Sequence, residues 1–190
     1  MRRPAVLLVL ALSGCSVLDP AGSGMSSEAA NAIAKQIGNA FANSMAGVTP
    51  APPAPTEALA GPSAVAVNVQ VTHRTNCTAG GHIEVLGNMT GNISDTGSGV
   101  LLLQVTETIS DWRCVGDYVV NGDPYVSVAG SMSFLNGQPS STTSFSFGGG
   151  FKWGTASEDS CQMSLTLLLR TDGTGHLSGT VCGEGINTEI

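Results

Sequence analysis

The C-terminal two thirds of the chain alternate between apolar and small or polar residues, which is the pattern of half-buried β-strands. The clearest example is the row Val65, Val67, Val69 and Val71. Similar rows recur up to Val181, and together they predict eight strands between residues 64 and 190. The later rows lie at 83–93, 101–109, 112–120, 126–134, 145–153, 163–169 and 177–181.

Short turn-forming sequences separate several of these rows and predict that consecutive strands pair in antiparallel fashion. They are Asp95-Thr96-Gly97, Asn121-Gly122-Asp123-Pro124, Asn136-Gly137 and Asp172-Gly173. A triple glycine, 148–150, interrupts the sixth row and indicates a bend or bulge with a close backbone approach. The sequence therefore predicts an all-β domain, an eight-stranded antiparallel meander that forms a small barrel or a sandwich.

The apolar face of this meander either lines a packed interior or faces lipid in a small transmembrane barrel. The second arrangement requires aromatic belts at two heights. The whole chain has two Trp, two Tyr and five Phe, which are few aromatic residues for two such belts. We therefore expect the apolar rows to face inward.

A different periodicity precedes the strands. Ile33, Ile37, Phe41 and Met45 recur every four residues, which predicts one amphipathic helix over residues 26–46 with Ser26 as its cap. We expect its apolar stripe to pack on the β domain, with contact to a membrane surface or self-association as alternatives. The proline-rich and alanine-rich residues 47–63 follow, and their composition favours an extended spacer and a domain boundary.

The N-terminal residues have the layout of an export signal. Arg2 and Arg3 precede a short apolar run, which ends in small residues and a cysteine. The segment Leu12-Ser13-Gly14-Cys15 resembles the lipobox of bacterial lipoproteins. The resemblance is confined to residues 1–15.

This resemblance implies that residues 1–14 are a signal peptide and that Cys15 carries diacylglycerol and usually a further acyl chain such as palmitate. Residues 15–25 would then be a lipidated tether, and Ser16 implies sorting to the outer membrane. We expect an exported protein, held in the bacterial envelope by its lipid.

Four further cysteines, Cys77, Cys114, Cys161 and Cys182, are candidates for disulfides, because an even number in an exported chain is typical of disulfide pairing. Four cysteines allow three pairings. The meander places Cys77 and Cys114 together at one end of the sheet and Cys161 and Cys182 together at the other. Zinc is the alternative, but the chain lacks a C-x-x-C pair, so we expect no metal.

The charge of the chain and the motifs that it lacks argue against several classes of function. The net charge is -7 and only 11% of residues are charged, which argues against nucleic acid as a partner. The sequence contains no G-x-S-x-G, S-x-x-K, phosphate-binding or dinucleotide-binding motif. We therefore expect a protein that is not an enzyme and has no cofactor.

Two polar residues share the phase of the apolar face and are candidates for ligand binding. His73 continues the row of valines, and Glu107 lies within the third row. Both fall near Trp112, where a carboxylate beside an imidazole could bind a proton, a metal or a ligand. The alternative is that both are solvated at the rim of the sheet.

The expected function is thus a structural or protein-interaction role for a non-enzymatic, lipid-anchored envelope protein. Its partners would be the membrane, through the lipid, and an envelope protein. The alternative is a binding module that holds a small apolar ligand inside the β-barrel.

Overall fold

The computed structural model describes residues 24–46, 48, 64–154 and 159–190. The expected signal peptide, the lipidation site Cys15 and nearly all of the spacer lie outside these residues. A single helix, α1 (Ser27–Ala46), precedes the strands within the described part. The strands are β1 (Val65–Asn76), β2 (His82–Ile93), β3 (Gly99–Ser110), β4 (Trp112–Val115), β5 (Tyr118–Leu135), β6 (Gln138–Pro139), β7 (Thr143–Gly154), β8 (Asp159–Leu169), β9 (Gly175–Val181) and β10 (Glu184–Glu189).

All strands belong to one antiparallel sheet. Eight of them follow one another in the order β1-β2-β3-β5-β7-β8-β9-β10, and the two short strands β4 and β6 pair with β5. The predicted antiparallel meander preceded by a helix is therefore confirmed. The strands β1 and β10 form the two edges of the sheet and do not pair with each other, so the sheet is open rather than a closed barrel.

The predicted turn at Asn121-Gly122-Asp123-Pro124 is wrong. These residues lie inside β5, which continues through them from Tyr118 to Leu135. The hairpin turn lies earlier, at Gly116 and Asp117, between β4 and β5. The chain continues as a strand because a bulge absorbs the irregularity, with the register against β7 shifting between Asp123 and Val126.

The last strand, β10, was not expected from the sequence. It contains one buried apolar residue, Ile186, so it shows no alternating row. The eight long strands therefore differ from the eight predicted ones. The strands predicted at 112–120 and 126–134 correspond mainly to the single strand β5, and the unexpected β10 brings the number of long strands back to eight.

The helix α1 lies against the inner face of the sheet and supplies part of the core, as its apolar stripe predicted. Ser26 caps it by accepting a hydrogen bond from the Ala29 amide at 3.2 Å. Phe41 is fully buried, and its ring packs edge-on against Phe145 at 4.8 Å and Phe147 at 5.3 Å between centroids. Helix and sheet residues form one hydrophobic cluster.

The helix also contacts the edges of the sheet. The helix contacts both edge strands, β1 and β10, and their neighbours β2 and β9. Its contacts therefore reach both edges of the open sheet, whose outermost strands lack a partner on one side. The helix and the sheet therefore share one core within the described part of the chain. The domain boundary expected at residues 47–63 stays a prediction, because nearly all of these residues lie outside the described part.

Two disulfides join Cys77 to Cys114 and Cys161 to Cys182, the pairs that the strand order favoured. Their expected placement at opposite ends is wrong. Because β5 is a single strand where two were predicted, the directions of β7, β8 and β9 are reversed. Both disulfides therefore lie at the same end of the sheet, which we call the disulfide end.

Candidate functional site

Glu107 lies on the inner face of β3 and is fully buried. Neither carboxyl oxygen has a hydrogen-bond partner among the described residues. Burial raises the pKa of the Glu107 carboxyl well above its ordinary value, because loss of water disfavours the charged form. Its surroundings therefore favour the protonated, uncharged form of the carboxyl, which can both donate and accept a hydrogen bond.

His73 shares a row with Glu107, as the sequence predicted, but one strand lies between them. Val85 on β2 pairs with His73 on one side and with Glu107 on the other. Two strand spacings amount to about 10 Å between backbones. His73 is half-buried on the edge strand, and no hydrogen bond joins its imidazole to the carboxyl. His73 and Glu107 are therefore not in contact, and their role in ligand binding stays a prediction.

Trp112 lies farther towards the disulfide end, and sequence reasoning missed its counterpart Trp153. Both pair with Val120, so the two indoles lie in one row of the inner face. Each indole N–H is buried without an acceptor among the described residues. The Tyr118 ring packs edge-on against Trp153 at 5.1 Å. This end of the interior therefore combines large apolar groups with unused donors.

Metal binding is not supported by this interior. The described part of the chain holds no group of three or more His, Cys, Asp or Glu side chains placed to bind a metal ion. The four cysteines that could have bound zinc are oxidised in pairs, with Cα–Cα distances of 5.6 and 4.9 Å. Their pairing places the folded chain in an oxidising, exported environment.

A groove of about 540 Å³ lies at the end of the sheet opposite the disulfides. We call it the basal groove. It lies between the C-terminal half of α1 and the chain after β8, and Met45, Met132 and Leu169 form part of its apolar lining. Arg170 stands at its rim, where its guanidinium pairs with Glu189 at 3.2 Å. Its size is that of a small-ligand site.

The outer face of the sheet is the second notable surface, because two complete rows across all eight long strands carry no charged side chain. The first row is Thr72, Leu86, Thr106, Ser127, Gly148, Ser164, Thr180 and Gly185. The second row is Gln70, Asn88, Gln104, Ala129, Ser146, Thr166, Ser178 and Asn187. Charged residues make up about 25% of a typical soluble domain. We call these two rows the uncharged face.

One depression of about 470 Å³ lies on this uncharged face, over β2, β3 and β5. We call it the Tyr125 groove. Leu86 and Tyr125 line it together with the small side chains of Thr106, Ser127 and Ala129. Leu86 is 39% exposed and Tyr125 is 45% exposed. Sequence reasoning missed this groove, because Tyr125 lies between the turn expected at residues 121–124 and the row expected to begin at Val126.

Comparison with protein-family models, curated proteins and solved structures finds no match to this chain. No helix among the described residues combines the length and the apolar character needed to cross a membrane. The arguments for function therefore rest on the chain's own residues.

Proposed function

We propose that this protein is a non-enzymatic, lipid-anchored protein of the bacterial cell envelope with a structural or interaction role. The single observation that carries the role is the uncharged face, which extends from Thr72 on one edge strand to Gly185 on the other. Depletion of charge is typical of the centres of protein interfaces. Lipidation of Cys15 rests on the lipobox resemblance, and the two disulfides support export.

The position of α1 in the fold indicates how an anchored protein would be oriented relative to the membrane. The basal groove is lined by the C-terminal half of α1, so the helix begins at the disulfide end. Eight residues lie between Cys15 and Gly24, and the nine steps from one Cα to the next span at most about 32 Å. An anchored protein would consequently hold its disulfide end towards the membrane, with the strands of the uncharged face running away from it.

A small apolar ligand is less well supported as the basis of function. Phe41 and its helix fill the inside of the curved sheet, where the ligand of a β-barrel would lie. Such a ligand would instead have to use the basal groove.

The proposal is tested in cells by fractionation and by site-specific crosslinking. We expect Cys15→Ser to abolish palmitate labelling and to release the protein from the membrane fraction. A photoreactive phenylalanine analogue at Gln104, on the uncharged face, should form a discrete adduct with an envelope component. The same analogue at Lys35, on the exposed side of α1, is the matched control.

Two results would contradict the proposal. Membrane retention and labelling that persist in Cys15→Ser would exclude anchoring through that residue. Adducts that are equal from both positions, or absent from Gln104, would exclude the uncharged face as the contact surface.

A further inference from the structure

The backbone of β5 forms a bulge beside Tyr125. The register of β5 against β7 pairs Asp123 with Gly150 and Val126 with Gly149, so Pro124 and Tyr125 have no partners on β7. Tyr125 directly precedes Val126, which is fully buried on the inner face, so the alternation of β5 turns Tyr125 outward. It stands beside the groove on the uncharged face, where it is 45% exposed.

The facing strand is adapted to this bulge by glycine. A Cβ at Gly149 would lie 2.5 Å from the carbonyl oxygen of Tyr125. Real Cβ atoms are not found this close to backbone oxygens, so any other residue would displace the bulge. The bend indicated by the triple glycine is therefore the close approach that positions Tyr125.

The groove combines an aromatic ring with uncharged hydrogen-bonding groups. Tyr125 and Leu86 provide apolar surface, while Gln104, Thr106 and Ser127 provide amide and hydroxyl groups. Its volume of about 470 Å³ lies in the range of small-ligand sites. A pyranose ring matches this lining, because its C–H face packs on an aromatic ring and its hydroxyls exchange hydrogen bonds with amides and hydroxyls.

Charge selects among the polymers that could lie on this face. A chain with a net charge of -7 repels nucleic acids and acidic polysaccharides. The lining contains no carboxylate that could pair with a basic peptide. A neutral polymer rich in hydroxyl groups is not repelled by the negative charge of the protein and needs no charged partner in the groove. The uncharged rows continue on either side of the groove, where neighbouring sugar units of such a polymer would lie.

We propose that the Tyr125 groove is a binding subsite for a neutral glycan chain, with the sugar ring stacked on Tyr125. This inference rests on the proposed function for its setting in the envelope and deepens it by naming a partner class for one part of the uncharged face.

Binding is tested with the protein purified from cells that express the full chain, using cellohexaose and chitohexaose as probes. Saturation-transfer NMR and titration calorimetry should detect binding of at least one probe. We expect Tyr125→Ala to weaken this binding about tenfold or more, because the stacked ring is lost. Tyr125→Phe keeps the ring and should bind within about threefold of the unmodified protein.

Leu168→Ala is the matched control, since Leu168 is an exposed apolar residue on β8, outside the groove. It should leave binding unchanged, and circular dichroism should show that all variants are folded. The proposal is overturned if neither probe binds at millimolar concentration, or if Tyr125→Ala binds as well as the unmodified protein. It is also overturned if sedimentation shows a dimer that Tyr125→Ala dissociates, because the groove would then contact a second copy.

These outcomes are distinct from failure of the proposed function. Loss of anchoring in cells concerns Cys15 and leaves glycan binding in solution unaffected. Loss of glycan binding leaves anchoring unaffected.

Discussion

Glu107 is the residue whose placement has the clearest energetic consequence. It occupies an inner position of the sheet where Val105 and Ile109 are its neighbours along the strand, and all three are buried. A charged carboxylate without a partner in this environment would be strongly destabilising. Protonation of the carboxyl removes that cost, which is why burial raises the pKa of Glu107.

The raised pKa predicts the direction of the pH dependence. A carboxyl whose pKa is higher in the folded than in the unfolded state stabilises the fold fully below the unfolded value, about 4.3, and this contribution is lost as pH rises towards the folded pKa. Relative to Glu107→Gln, the unmodified protein should therefore lose up to about 1.4 kcal/mol of unfolding free energy per pH unit. Urea unfolding between about pH 5 and about pH 8 measures the difference.

Glutamine is the informative replacement because its amide has nearly the same shape and does not titrate. Any constant penalty for burying the amide cancels when slopes against pH are compared. Parallel stability profiles for the two proteins would show that Glu107 is charged or hydrated in the folded state.

At the scale of elements, α1 is more than an accessory to the sheet. Its buried side includes Ile33, Ile37 and Phe41, and Gly38 allows a close approach to β9. A Cβ at Gly38 would lie 2.5 Å from Leu177 Cδ1. The helix can therefore lie deep against the sheet because its contact face mixes small residues with a few large ones.

This packing predicts a large effect of truncating Phe41. We expect Phe41→Ala to lower the free energy of unfolding by about 3–5 kcal/mol, because a fully buried aromatic ring between Phe145 and Phe147 is replaced by a cavity. Lys35→Ala, on the exposed side of the same helix, should change it by less than about 0.5 kcal/mol. Urea denaturation of both variants is the measurement. Equal effects would mean that the helix does not share the core.

At the scale of the whole molecule, the helix makes an open sheet viable. The strands β1 and β10 end the meander without pairing, and α1 contacts both of them. An exposed edge of β-branched residues such as that of β1 promotes association with other chains. The helix therefore substitutes for the closure that a true barrel would provide.

Deleting residues 26–46 should consequently abolish the monomeric fold rather than remove a binding segment. The exposed inner face and edges would drive association, so we expect aggregation in size-exclusion chromatography and loss of the near-ultraviolet circular dichroism of Trp112 and Trp153. A synthetic peptide of residues 26–46, added during refolding, should restore both signals. A deleted chain that remains monomeric with its aromatic spectrum intact would contradict this role.

Local sequence patterns predict much of the architecture. Alternation along β1, β2, β3, β7 and β8 and the four-residue repeat of α1 depend on residues close in the chain, so each element and its buried face could be predicted. The disulfide pairs followed from the order of the strands. The inner positions of His73, Glu107 and Trp112 followed from the same alternation.

Other features depended on contacts between residues distant in the chain. Asn121-Gly122-Asp123-Pro124 has turn-forming chemistry, yet pairing with β7 and the glycines opposite keep it within β5. That one difference reversed the later strands and brought both disulfides to one end. The helix likewise became part of the core because the two sheet edges left a place for it. The sequence alone determined α1, β1, β2, β3, β7 and β8 and the faces that they bury. Only the tertiary structure decided strand directions, the open form of the sheet and the outer groove, because these depend on long-range pairing that local patterns do not encode.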